Sequence, residues 1–275
     1  MGLRYDKFAK RWVEDTSNYT DATINGLTKA TTPDWTQYKL DADFLYQVNE
    51  GDWRGSDGTV GLYDAFHKAS WNFKPDAFLE DSKGSNDLTN VGADQYLVGA
   101  YGRQANFNGS SDEMHIADNT DLSPTSSFLV RAWANWDTIG AHGQIMAKTG
   151  SYELVYFNNS NRMFFRMYNG SGVGSQIGSG VGITAGKLTN VIAVADPTAL
   201  KIYLYVDGVE AGTPAAYDGT IQDTSNPMYL GVLGGTNDWL NGKLSNVDVW
   251  NGLTFANDAT REAMVADLQT SFYIG

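Results

Sequence analysis

The chain has 275 residues, enough for one large β-domain or for one domain with an extension. Its formal net charge of −13, from 19 basic and 32 acidic side chains, repels nucleic-acid phosphates and argues against nucleic-acid binding. With no cysteine, disulfides and thiolate metal sites are excluded, and no apolar run is long enough to cross a membrane as a helix.

The opening residues, Met1-Gly-Leu-Arg-Tyr-Asp-Lys-Phe8, carry basic side chains with no apolar run behind them, so they do not read as a secretory signal. A starting Met fits a chain made in the cytoplasm and used without the general secretion route; the other reading is a missing leader. Residues 1–60 hold Trp12, Trp35 and Trp53 among further tyrosines and phenylalanines. Disordered linkers are poor in aromatics, so this segment is expected to dock on something. It reads either as an extra layer on the sandwich of the same chain or as an anchor on a neighbouring subunit, with these tryptophans among the contacts. Residues 7–14 allow a short helix, with Phe8 and Trp12 four apart on one face.

From Ala69 onward the pattern changes to short runs separated by turn residues. Ser70-Trp-Asn-Phe73 alternates, and Asp81-Ser-Lys-Gly-Ser-Asn-Asp87 is a loop rich in oxygen ligands. Strand patterns follow at 88–91, 103–107 and 113–116. In Ser127-Phe-Leu-Val-Arg-Ala-Trp133, Phe128, Val130 and Ala132 point one way and Leu129, Arg131 and Trp133 the other. Residues 152–157 and 162–168 are joined by a hairpin loop, Asn158-Asn-Ser-Asn161. Residues 170–186 are rich in Gly and Ser and uncharged, hence a long loop or a weak strand. Residues 189–195 and 200–206 are further strands, the second followed by the hairpin signal Asp207-Gly208. In the closing stretch 241–250, Leu244, Asn246, Asp248 and Trp250 are expected on one face, with Val247 and Val249 on the other. Residues 258–268, with Asn257 as N-cap, read as the one good helix. The expected fold is all-β: a two-sheet antiparallel β-sandwich with one short C-terminal helix and an irregular aromatic-rich N-terminal arm. The domain division places an anchoring segment at 1–68 and the sandwich at 69–275.

No strand carries the alternating acids from which a glycosidase pair is built. Asp112 and Glu113 are adjacent, so a strand turns them to opposite faces, and Asn246 and Asp248 include only one acid. His67, His115 and His142 lack metal-ligand spacing. Loop aromatics are the better functional signal. Sugars present flat apolar faces rimmed by hydroxyls, which suits an aromatic ring beside Asn and Asp. Asn135-Trp136-Asp137 and Gly235-Thr-Asn237-Asp238-Trp239 combine these features, so Trp136, Asp137, Asn237, Asp238 and Trp239 are candidate ligand contacts. The alternative is that Trp136 and Trp239 cap the core; Trp133 and Trp250 read as core.

The order of these motifs resembles the laminin-G-like group of the concanavalin A-like lectin/glucanase fold. Trp71-Asn-Phe73, Asp81 to Asp87, Gly102-Arg-Gln-Ala-Asn-Phe-Asn-Gly109, 127–133, Gln144-Ile-Met-Ala-Lys148, 200–208 and 239–250 carry the likeness, over about 69–275. The resemblance implies a jelly-roll sandwich and leaves function open among lectins, hydrolases and structural modules. Relatives commonly tie acids in the closing strand, and just after the first strand, to a structural calcium; here those places hold Ser245-Asn246 and Lys74-Pro75. If calcium is retained, the resemblance implies Asp81 as its ligand. The expected role is a non-enzymatic structural and adhesion protein on the surface of a viral particle, a bacteriophage capsid decoration or a tail or fibre component. Residues 1–68 would grip other virion structural proteins, and the sandwich would bind cell-surface polysaccharide weakly, gaining strength from many copies in a multimeric assembly. The alternatives are a free-standing carbohydrate-binding module of a microbial secreted protein and a glycoside hydrolase.

Overall fold

The computed structural model describes residues 2–6, 11–15, 66–74, 77–98 and 102–270. Strands β1 (Gly2–Asp6) and β2 (Arg11–Asp15) pair antiparallel, with Leu3 opposite Glu14 and Tyr5 opposite Trp12. The helix expected over 7–14 is therefore corrected: Arg11–Asp15 is strand. A single Phe–Trp contact on a helix contributes only about 0.2–0.5 kcal/mol, and aromatic and β-branched residues such as Tyr5, Trp12 and Val13 favour a paired strand. Trp35 and Trp53 lie outside the described residues.

The sandwich comprises β3 (His67–Trp71), β4 (Thr89–Val91), β5 (Asp94–Val98), β6 (Gly102–Asn108), β7 (Glu113–Ile116), β8 (Phe128–Trp136), β9 (Gly143–Lys148), β10 (Tyr152–Phe157), β11 (Arg162–Asn169), β12 (Gly172–Gly182), β13 (Leu188–Asp196), β14 (Lys201–Val206), β15 (Val209–Glu210), β16 (Ala215–Ala216), β17 (Met228–Leu230) and β18 (Asn241–Asn251), followed by helix α1 (Asp258–Thr270). One sheet has seven strands in the order β12-β11-β10-β9-β17-β7-β4. The other has nine: β15-β14-β13-β8-β18-β6-β5, with β3 beside β18 and β16 beside β14. The two-sheet antiparallel sandwich with a C-terminal helix expected from the sequence is the fold observed. The Gly-rich stretch resolves into β12, at the edge of the seven-stranded sheet.

Alternation decides which side chains fill the interior. Phe128, Val130, Ala132 and Trp136 of β8 face Tyr152, Leu154 and Tyr156 of β10 and Met163, Phe165 and Met167 of β11 across the core. The intervening Leu129, with Ile192, Val194, Tyr203, Tyr205 and Trp250, forms a second cluster on the far side of the nine-stranded sheet, where Met264, Val265 and Leu268 of α1 cover it. Phe66 packs on that cluster and His67 pairs with Trp250, so sandwich contacts begin just before Ala69. The N-cap is as expected: Asn257 Oδ1 accepts from Thr260 N at 2.9 Å.

The single alternating phase expected over 241–250 is corrected. The register of β18 against β8 shifts between Ser245 and Asp248, and Asn246 has φ 46°. Leu244, Val247 and Val249 all face the core, while Trp250 faces the helix. A β-bulge adds one residue and so inverts the phase, which puts Leu244 and Asp248 on opposite faces.

Candidate functional site

The helix closes the outer face of the nine-stranded sheet. Among the described residues no helix lies on the outer face of the seven-stranded sheet, whose outward positions alternate with the core residues of β7, β10, β11 and β17. Ala147 and Val155 are buried between larger neighbours and form its floor. Two groups of side chains stand on either side.

On one side Tyr229 is paired across the sheet with His115, and the two rings lie 5.6 Å apart. Glu113 Oε1 is 3.3 Å from His115 Nδ1. The loop after β17 folds back on itself, with Leu233 N donating to Asn237 O at 2.8 Å. It then passes close over Tyr229: a Cβ added at Gly235 would lie 3.3 Å from Glu113 Oε2 and 3.6 Å from the Tyr229 hydroxyl oxygen, and Gly235 has φ 74°. Burial, and then the charge of Glu113, hold the Tyr229 phenol above its usual range, so it stays protonated and able to donate.

On the other side Tyr168 donates its hydroxyl to Glu153 Oε1 at 2.6 Å. Burial first, and this bond second, push the Tyr168 phenol well up. Arg166 donates from Nε to Gln176 Oε1 at 2.6 Å and from Nη1 to Glu153 Oε2 at 3.4 Å. Its guanidinium lies 4.5 Å from the centroid of Phe157. Phe157 contacts Phe164 at 5.0 Å between centroids and His142 edge-on at 4.6 Å. Phe164 in turn lies against Gly178 of β12, where an added Cβ would meet Phe164 Cε1 at 2.7 Å.

The residues anticipated from the sequence divide. Trp136 is the last residue of β8 rather than part of a loop. It is 1 % exposed and its ring packs 5.8 Å from Tyr156, so it offers no face to a ligand and is corrected to a core residue. Asp137 is exposed and paired with Lys243. Asn237 is exposed, with Asp238 and Trp239 half-buried beside it. Each stretch is tied to its surroundings by the backbone: Asp137 N donates to Asn241 O at 3.0 Å, and Asp238 O accepts from Gln144 N at 2.9 Å. Sequence reading missed Glu113, His115, Tyr229, Glu153, Phe157, Phe164, Arg166 and Tyr168. Their signal was the i, i+2 recurrence of aromatic and charged residues at outward positions, as in Phe164, Arg166 and Tyr168.

Asp81 does not have the surroundings of a calcium ligand. Its oxygens accept from Ser70 N at 2.8 Å, Lys83 N at 2.9 Å, and Asn86 N and Nδ2 at 3.1 and 3.2 Å. Four N–H donors fill the roughly four lone-pair positions of a carboxylate, so Asp81 ties its loop to β3. Among the described residues, no group of three or more His, Asp or Glu is placed to hold a metal ion.

Glu113 and Glu153 share the open face, but β17 and β9 lie between their strands. Three strand spacings amount to roughly 14 Å. Glycosidase carboxyl pairs stand about 5–9.5 Å apart, so these two are not placed as an acid and its nucleophile or base.

The sequence model of the concanavalin A-like lectin/glucanases superfamily matches residues 108–258, more than half of the chain. The chain belongs to that superfamily. No functionally curated protein matches the sequence. Solved structures share the concanavalin A-like fold at low identity. Domain 4 of AbnA, an extracellular arabinanase of family GH43 from Geobacillus stearothermophilus solved in complex with arabinotriose, is 16% identical with a TM-score of 0.52, over 74% of this chain and 98% of that one. The binding domain of Paraclostridial Mosquitocidal Protein 1 is 13% identical with a TM-score of 0.58, over 73% of this chain and 52% of that one. The binding domain of botulinum neurotoxin serotype G is 12% identical with a TM-score of 0.55, over 74% and 50%. This concanavalin A-like chain thus spans about half the length of the two toxin binding domains.

Proposed function

We propose that this concanavalin A-like sandwich is a non-catalytic glycan-binding module whose ligand lies on the open face of the seven-stranded sheet, against the loop that carries Asn237, Asp238 and Trp239. The observation that carries the reading is the composition of that face. Aromatic rings (Tyr229, Phe157, Phe164) alternate with fixed donors and acceptors (Glu113, His115, Glu153, Arg166), an arrangement suited to stacking on sugar faces and bonding their hydroxyls. The separation of its two glutamates supports binding over hydrolysis, and a neighbour of the same fold was solved with arabinotriose. The test is a glycan array probed with the multimerised full chain. A retained glycan should lose about 2 kcal/mol of affinity, roughly 30-fold, with Tyr229→Ala. No retained glycan, or a variant that binds as well as the parent, contradicts the proposal.

The proposed setting is the surface of a viral particle, with residues 1–68 attached to other virion structural proteins and the sandwich turned toward cell-surface polysaccharide. The aromatic content of that segment, the absence of cysteine and the net charge of −13 support it. Trp12→Ala, Trp35→Ala and Trp53→Ala variants should lose incorporation into assembled particles while melting like the parent. Lower melting with full incorporation would instead assign these residues to the chain's own packing, and a chain that functions free of any particle would favour a free-standing carbohydrate-binding module.

A further inference from the structure

We infer that the Arg166 end of the open face selects glycans bearing carboxylate groups; this refinement rests on the glycan-binding reading above. The guanidinium is held over a ring. Phe157 lies beneath it at 4.5 Å, Gln176 takes Nε at 2.6 Å, and Glu153 takes Nη1 at 3.4 Å. The Arg166 side chain keeps 26% of its surface exposed, so part of the guanidinium is open to a ligand. Glu153 is the carboxylate paired with this cation, from the buried side. Its side chain is 5% exposed, and its other oxygen already accepts from Tyr168 at 2.6 Å.

Two further donors stand around the same rings. Arg162, exposed, is the cross-strand partner of Phe157. His142 Nδ1 accepts from Asn158 N at 3.1 Å, so a neutral His142 carries its proton on Nε2. In a chain of net charge −13, this end of the face gathers two guanidinium groups and an imidazole N–H around one buried carboxylate. The Tyr229 end carries Glu113 instead and disfavours an anion. A guanidinium fixed by stacking presents paired N–H groups that match a carboxylate in two-point contact, while the neighbouring Phe164 ring offers a surface for the apolar face of the same sugar. A neutral sugar would leave those donors with weaker acceptors.

The experiment presents the multimerised full chain to immobilised polygalacturonate, alginate and polysialic acid, beside the carboxyl-reduced form of each and neutral galactan and dextran. At least one acidic polymer should bind at least tenfold more tightly than its reduced form. Arg166→Gln should abolish that preference while the chain stays folded, and Arg166→Lys, which keeps the charge but not the planar pair of donors, should restore it only in part. Equal binding to acidic and reduced forms, or an Arg166→Gln chain with the parent preference, overturns the inference and leaves the glycan-binding reading standing. Binding to none of the polymers and to no glycan on the array overturns both.

Discussion

Asp248 shows how one side chain couples distant parts of the chain. It lies on the helix side of β18, where Arg131, 117 residues away, donates Nε to Asp248 Oδ2 at 2.9 Å. His67 Nε2 stands 3.2 Å from its Oδ1, and the His67 ring stacks on Trp250 at 4.3 Å. Arg131 also donates Nη1 to Leu268 O at 3.1 Å, near the end of α1. Burial raises the Asp248 pKa, but the Arg131 charge and the His67 contacts outweigh it and hold the carboxyl at about 2. A depressed folded-state pKa contributes stability above the unfolded value near 3.9, and that contribution is lost as pH falls toward 2. It amounts to about 2–3 kcal/mol. Asp248→Asn removes the buried carboxylate that Arg131 contacts here and should cost about 3–5 kcal/mol at neutral pH. Urea titrations at pH 7 and pH 3 check both statements. The parent should lose stability between the two, and the variant should lose less of it. A variant as stable as the parent at pH 7 would mean that the cluster contributes nothing. The sequence marked Asp248 as a lone acid in a strand; its partners come from two other strands, so no local spacing signalled them.

The two sheets differ in how much of each was legible. Strands with a clear polar-apolar phase, such as β7 and β8, could be read with their facing. In β11 the run Met163-Phe-Phe-Arg-Met-Tyr168 is nearly apolar on both faces, so period-2 alternation could not separate core Phe165 from outward Phe164 and Arg166. That ambiguity concealed half of the candidate face. The bulge at Asn246 was hidden for a related reason: a one-residue insertion leaves every residue type plausible and changes only the phase. On the faces of β6 and β13 turned away from the core, buried Gln104 and Asn190 carry side-chain amide atoms with no hydrogen-bond partner among the described residues. A buried polar group left unpaired costs about 1–3 kcal/mol. Gln104→Met, close in shape and without the amide, should therefore raise the melting temperature of the full chain. A fall of several degrees would mean that the amide is engaged in solution.

At the scale of the molecule, the division of labour between the two sheets follows from coverage. The α1 helix buries Leu129, Ile192, Val194 and Trp250 on one side, while the other sheet carries rings and charges outward. The fold itself was legible because strand spacing and motif order are properties of the whole chain. The face was not, because it is assembled from β7, the β10–β11 hairpin and β17, three segments that are far apart in sequence. Hydroxyl-radical footprinting of the full chain, with and without a glycan retained on the array, tests the central claim most directly. Protection of Tyr229, Phe157 and Phe164 is expected, with the exposed Tyr96 on the helix-bearing sheet unchanged. Protection confined to Tyr96, with Tyr229 and the two phenylalanines unchanged, would contradict a ligand on the open face.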